Sequence, residues 1–183
     1  MVGAGPIGLA LVAVLRLKGA RSITVSDLHE RPLLLARSLS ATETVDPRRP
    51  AADQPELFDV SFECSGSAAG LAFALEETRP AGDVIMVGNQ RVGDTPFAAA
   101  RAISKELRVS GSYRFDREFD DVIAAIATGL LDLTPIVTDV FDYRRFERAF
   151  EVAADPVRSS KVLLSFDTEA TTQVDHATPT TDH

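Results

Sequence analysis

Several things are scarce in this chain of 183 residues. There is one cysteine, Cys64, so no disulfide framework can form, and the composition suits a reducing compartment. Positive charge is in deficit. A formal net charge of −8, with no compensating basic cluster, excludes the electrostatic footprint of a nucleic-acid-binding protein. No uncharged apolar run reaches the roughly 18 residues that a membrane-spanning helix needs. The apolar stretch Ile7–Leu15 follows only an uncharged, glycine-rich lead, whereas a signal peptide would begin with basic residues. It reads as a buried helix, and the expected location is the cytoplasm. Histidines are few: His29, His176 and His183. With a single thiol and no histidine at ligand spacing, Glu63 and Cys64 cannot build a zinc site. Internal repeats are lacking.

What is present is alternation. Short β-branched runs at 22–26, 59–64, 83–87, 107–113, 136–138 and 161–166 read as strands. Helical patterns at 30–39, 68–78, 117–128 and 143–154 lie between them. A turn at Pro80–Gly82 is expected before the third of these strands, and Gly129 is expected to close a helix. Strands alternating with helices imply parallel βαβ units in a doubly wound sheet. The stretch 46–55 carries Pro47, Pro50 and Pro55 and reads as irregular. The polar, threonine-rich tail 167–183 reads as disordered. The expected organisation is one α/β domain over 1–166 followed by that tail.

The most informative motif is Gly3-Ala-Gly-Pro-Ile-Gly8, a G-x-G-x-x-G turn opening a helix. In a Rossmann-type dinucleotide fold, Gly3 makes the tight turn and Gly5 lets the backbone approach the pyrophosphate. Gly8 lets helix and strand pack closely. The helix start, with Pro6 tolerated there, directs free N–H groups at the phosphates. The alternative is an ordinary glycine-rich turn. Asp27 ends the next strand 19 residues after Gly8, where a carboxylate can hold the adenosine ribose hydroxyls and repel a 2′-phosphate. NAD is therefore favoured over NADP. Asp27 could instead serve the start of the next helix. Arg31 could stack on adenine or lie free on the surface.

In order along the chain stand that turn, Val25-Ser-Asp-Leu28, Phe62-Glu-Cys-Ser-Gly66, Val87-Gly-Asn89 and Lys105-Glu-Leu-Arg-Val-Ser-Gly-Ser-Tyr-Arg-Phe115. Leu133-Thr-Pro-Ile-Val-Thr138, Phe146-Glu-Arg-Ala-Phe150 and Ser159-Ser-Lys-Val-Leu163 follow. Together they resemble the coenzyme domain of zinc-dependent medium-chain dehydrogenases, and within these the polyol branch of sorbitol and L-idonate 5-dehydrogenases. The resemblance covers about Val2 to Phe166. It implies that Ile7 packs beside the nicotinamide half of the cofactor, and that Val87, Gly88 and Asn89 hold the nicotinamide carboxamide or ribose. Ser112, Tyr113 and Arg114 line the same pocket, Arg114 and Phe115 face a polyol, and Lys161 meets the pyrophosphate. Each has a plain alternative. Gly88 could be a strand-end turn, Arg114 could pair with Asp116 or Glu118, and Lys161 could be an edge residue. Pro32 stands where the sorbitol-type pattern has an arginine.

The resemblance further implies an oxidoreductase acting on a secondary alcohol of a polyol or sugar acid, and assembly into homo-oligomers. Its zinc would belong to a GroES-like N-terminal catalytic domain absent from this sequence, so no catalytic residue is assigned here. Only Met1 and Val2 precede Gly3. The first and central strand is therefore expected to be truncated, leaving its neighbours short of backbone partners at roughly 1–3 kcal/mol each. The chain is then expected to be a fragment, a mis-called start or a decayed remnant. The alternative reading is a non-catalytic NAD(H)-binding module.

Overall fold

A computed structural model of the protein describes residues 1–49, 57–90, 93–115 and 118–167. The tail expected to be disordered lies almost wholly outside the described residues, as do Asp116 and most of the proline-rich stretch. The chain divides into two compact units, Met1–Ile136 and Val137 onward.

The first unit is built on parallel strands. β1 (Thr24–Ser26) pairs with β2 (Glu43–Val45), and β3 (Phe58–Glu63), β4 (Thr78–Met86) and β5 (Arg108–Gly111) pair in that order. Val2 joins the two sets, bridging Ser26 on one side and Glu63 on the other, both in parallel. The strand sequence across the unit is thus β2, β1, Val2, β3, β4, β5. The order of a Rossmann sheet is kept, with its central strand reduced to one stretch, Met1–Gly3.

That short stretch satisfies both neighbours over its own length. The Val2 N–H donates to the Phe62 carbonyl and the Gly3 N–H to the Ser26 carbonyl, each at 2.8 Å. In return Val2 C=O accepts from Cys64 N–H at 2.7 Å and Met1 C=O from Ser26 N–H at 2.8 Å. In line with Met1, between β1 and β3, lies a cavity of about 530 Å³ lined by Ile23, Thr24, Phe58, Val60 and Phe62 among others.

Helices cover both faces. Side chains alternate along a strand, so neighbours Met1 and Val2 point opposite ways. Met1 packs against a cluster of Leu9, Val12, Ile23, Val25, Ala36 and Leu39, whereas Val2 packs against Leu71, Ala74, Leu75 and Val84. Helices α1 (Pro6–Leu17) and α2 (Glu30–Ser38) therefore lie on one face. Helix α3 (Ala68–Glu77) lies on the other, with α4 (Ala99–Ser104) beside it. Leu9 and Val12, one turn apart, supply the buried stripe of α1. Ser67 caps α3 by accepting from Gly70 N–H at 3.0 Å. Helix α5 (Glu118–Ala127) starts on acidic residues and ends at Gly129, whose φ of +73° gives the expected left-handed stop.

Two expectations are corrected. The turn at Pro80–Gly82 does not precede a strand; it interrupts one, because the register jumps from Phe58↔Thr78 to Val60↔Asp83 and the intervening residues of β4 loop out. The strand expected at 136–138 begins instead at Val137, after a 3-10 turn over Thr134–Ile136. In the second unit β6 (Val137–Asp142) and β7 (Lys161–Ser165) form a separate two-stranded parallel sheet, with α6 (Phe146–Ala153) as the crossover.

Candidate functional site

All strands of the first unit are parallel, so their carboxyl ends lie along one edge. The residues just past those ends are Gly3–Gly8 after the central stretch and Asp27 after β1. Ser65–Ser67 follow β3, Val87–Gln90 follow β4, and Ser112–Phe115 follow β5. Most of the residues marked in the sequence thus converge on one edge from distant parts of the chain. Connections leave the central stretch in opposite directions, to β1 and to β3, which makes this edge a topological switch point.

The glycine turn has the geometry its spacing implies. Gly3 has a φ of +93°. A Cβ on Gly8 would stand 2.1 Å from the Gly3 carbonyl oxygen, so α1 can seat against the turn only without one. Gly5 is different: it is exposed, it precedes the first residue of α1, and a Cβ there meets nothing within 4 Å. Its open face lies at a helix N-terminus, where free N–H groups and the helix dipole favour an anion.

Asp27 is tied into this turn. Its Oδ2 accepts from Ala4 N–H at 2.8 Å, and its Oδ1 accepts from His29 N–H at 2.9 Å. The residue before α2 is His29, so Asp27 does not cap that helix directly; it forms a local turn ahead of it. Its side chain keeps 16% of its exposure, and a carboxylate has further acceptor capacity. Arg31 is exposed in the first turn of α2. Arg48, which the sequence reading did not single out, donates to the Leu28 carbonyl beside Asp27 and to Asp46 Oδ2 at 2.9 Å. Hydrogen bonds from Arg48 hold the Asp46 carboxyl down at about 2.

At the far end of the edge, Val87 and Gly88 N–H both donate to the Glu63 carbonyl at 2.8 Å, and Asn89 is exposed. Ser112 N–H donates to Met86 C=O at 2.8 Å. Tyr113 and Phe115 are exposed, and Arg114 lies over the Tyr113 ring at 5.0 Å with a φ of +64°. Ile7 is 61% exposed although it opens a helix whose next apolar residues are buried. Lys161 begins β7 in the second unit and is exposed there.

Residues 6–128 match the family model described as zinc-binding dehydrogenase. The chain belongs to that family. It is 32% identical over 168 residues to an L-idonate 5-dehydrogenase (NAD(P)(+)) of Escherichia coli, covering 90% of this chain and 49% of that protein. The crystal structure of the L-idonate 5-dehydrogenase from that species superimposes with a TM-score of 0.83 at 31% identity. An L-threonine 3-dehydrogenase of Streptomyces coelicolor is 34% identical over 176 residues, covering 91% of this chain and 50% of that protein. A Sinorhizobium meliloti protein described as a zinc-binding dehydrogenase, bound to NADP, matches with a TM-score of 0.78 at 25% identity over 90% of this chain and 51% of its own. The chain spans about half the length of the curated relatives it matches.

A nicotinamide dinucleotide fits the residues present: the open Gly5 face at a helix N-terminus suits phosphate, and Asp27 beside the turn suits a ribose. Zinc does not fit. Among the described residues no group of three His, Cys, Asp or Glu side chains could hold a metal ion. Burial, aided by Glu63, pushes the Cys64 thiol up to about 11, away from the thiolate that zinc takes. Among the described residues no helix is long and apolar enough to cross a membrane.

Proposed function

We propose that this chain binds a nicotinamide dinucleotide across the carboxyl ends of its parallel strands. In this reading it is the coenzyme-binding part of a dehydrogenase that oxidises a secondary alcohol of a polyol or sugar acid. The observation that carries the reading is the convergence of an open Gly5, a helix N-terminus and Asp27 at the switch point of the sheet. The relatives' names supply the reaction class.

The backbone around Gly5 and the start of α1 would receive the pyrophosphate. Asp27 would accept from the adenosine ribose hydroxyls. Its negative charge disfavours a 2′-phosphate, so NAD is preferred to NADP. Val87, Gly88 and Asn89, with Ser112 and Tyr113, would receive the nicotinamide half, while Ile7 shields it from water. Arg114 and Phe115 would meet the substrate side. Bound there, the nicotinamide ring supplies the hydride acceptor for alcohol oxidation. The single cysteine supports a cytoplasmic setting, and the edge of β5, which pairs only with β4 among the described residues, supports assembly into homo-oligomers.

Calorimetry with NAD⁺ and NADH on the purified chain tests the reading. Binding in the micromolar-to-millimolar range, weakened by Asp27→Ala, is expected. A folded chain that binds neither would overturn it.

A further inference from the structure

Glu63 is the largest charged side chain wholly removed from solvent, at 0% exposure. A carboxylate in that position is costly unless every oxygen finds donors, and an apolar residue would pack there more cheaply. The donors are present and come from two segments. On Oε1 converge Ser65 N–H at 2.7 Å, Ser65 Oγ–H at 2.5 Å and Gly66 N–H at 3.0 Å. Oε2 accepts from Gln90 Nε2 at 2.9 Å. The backbone carbonyl of the same residue accepts from Val87 and Gly88 N–H. Glu63 thus holds both the turn after β3 and the segment after β4, and Val2 bridges it from the central stretch. The two held segments also touch directly, since a Cβ on Gly66 would stand 2.4 Å from the Asn89 carbonyl oxygen.

We propose that Glu63 is a positioning residue for the far half of the dinucleotide: its carboxylate locks the Ser65–Gly66 turn to Gln90 and so fixes the Val87–Asn89 wall. The proposal rests on the dinucleotide reading above. It adds that the wall is held by the hydrogen bonds of one buried side chain and not by packing alone. The adenosine end, built on Gly5 and Asp27, has no hydrogen bond to the Glu63 carboxylate; it meets the held turn through Gly3, where a Cβ would stand 2.8 Å from Ser65 N, and not through Gln90.

The test compares ADP, which reaches only the adenosine and pyrophosphate side, with NADH, which needs the wall. Dissociation constants are measured by calorimetry for the full chain and for Gln90→Leu, Glu63→Gln and Glu63→Leu, each checked by thermal melting. Gln90→Leu removes only the inter-segment link. It should leave ADP affinity within about twofold and weaken NADH about fivefold to tenfold, the scale of one ordinary hydrogen bond. Glu63→Gln retains an acceptor for the turn, and the Gln90 amide can reverse to meet the new donor, so NADH affinity should stay within about threefold. Glu63→Leu should lose NADH as Gln90→Leu does; if it does not fold, Gln90→Leu alone decides. Equal weakening of ADP and NADH by Gln90→Leu, or no change in either, overturns the positioning role and leaves the dinucleotide reading intact. A wild-type chain that binds ADP no less tightly than NADH also overturns it. If the folded wild type binds neither, the dinucleotide reading falls first and the positioning role with it.

Discussion

The Asp27 Oδ2 and the Ala4 N are 2.8 Å apart, so the acid just after β1 is bonded to the glycine turn a helix and a strand earlier in the chain. The same oxygen pair orders the turn ahead of α2 through His29. Asp27 therefore has a structural role beside the recognition role proposed for it, and substitutions can separate the two. Asp27→Ala should lower stability by about 1–3 kcal/mol through the unpaired N–H groups, as well as weaken NAD. Asp27→Asn keeps one acceptor oxygen and puts an NH2 in place of the other, so one of the two N–H groups loses its partner. It should melt between wild type and Asp27→Ala while the ratio of NAD to NADP affinity falls, because the charge that repels a 2′-phosphate is gone. Paired melts and calorimetry check both.

Two glycines in one turn should respond in opposite ways to the same methyl group. Gly8→Ala puts a Cβ 2.1 Å from backbone, which cannot yield as a flexible side chain could. The cost should be about 1–3 kcal/mol or more, seen as a lowered midpoint in urea or loss of soluble protein. Gly5→Ala meets no atom within 4 Å, so its melt should match wild type. Its dinucleotide affinity should nevertheless fall about tenfold or more if the pyrophosphate uses that open face.

Lys105 Nζ donates to the carbonyls of Thr78 at 2.9 Å and Leu75 at 3.4 Å, and to that of Glu76. A cation thus covers the orphan carbonyls and the negative dipole end of α3. Lys105→Met keeps the aliphatic stem and removes the donors. It should cost about 1–2 kcal/mol in denaturant unfolding without changing ADP affinity, since this helix end lies opposite the ligand edge.

Cys64 should be inert. Its thiol is pushed from an ordinary 9.0 up to about 11, first by burial and then by Glu63. At neutral pH, alkylation of the native chain should be far slower than in denaturant, where the thiol regains its ordinary acidity. The linkage has a definite sign. Between the unfolded value near 9 and the folded value near 11, the unfolded chain has lost the proton and the folded one retains it. Cys64 should therefore lower stability progressively as pH rises through that window, and Cys64→Ser or Cys64→Ala should flatten this part of the stability curve.

The Rossmann character and most of its elements were legible from local pattern. The glycine spacing, the acid at the next strand end and the alternation of β-branched and helical runs each leave a one-dimensional trace. Elements without such a trace were not. Strand β2 is three residues, Glu43-Thr-Val45, with one exposed position, and exists because β1 offers it a parallel edge. Helix α4 is an alanine-rich turn and a half with no buried residue to mark a face. The jump in β4 at Arg79–Gly82 depends on how β3 pairs with it, and register is a property of two strands.

The site divides in the same way. Gly3, Gly5, Gly8 and Asp27 could be read from spacing because backbone geometry at a turn is a local demand. Glu63 could be weighed only as a metal ligand, since nothing in Phe62-Glu-Cys-Ser-Gly66 announces that Gln90, a distant residue in the segment after β4, will supply its donor. Arg48 beside Leu28 is hidden for the same reason. Local residue chemistry by itself determined a glycine turn of the dinucleotide type, an acid to accompany it and the acidic balance of the chain. Only tertiary structure decided that Val2 bridges both halves of the sheet, and that one buried carboxylate binds two strand ends together. Both outcomes depend on which backbone and side-chain groups meet across the sheet, and such meetings are set by packing, not by sequence neighbours.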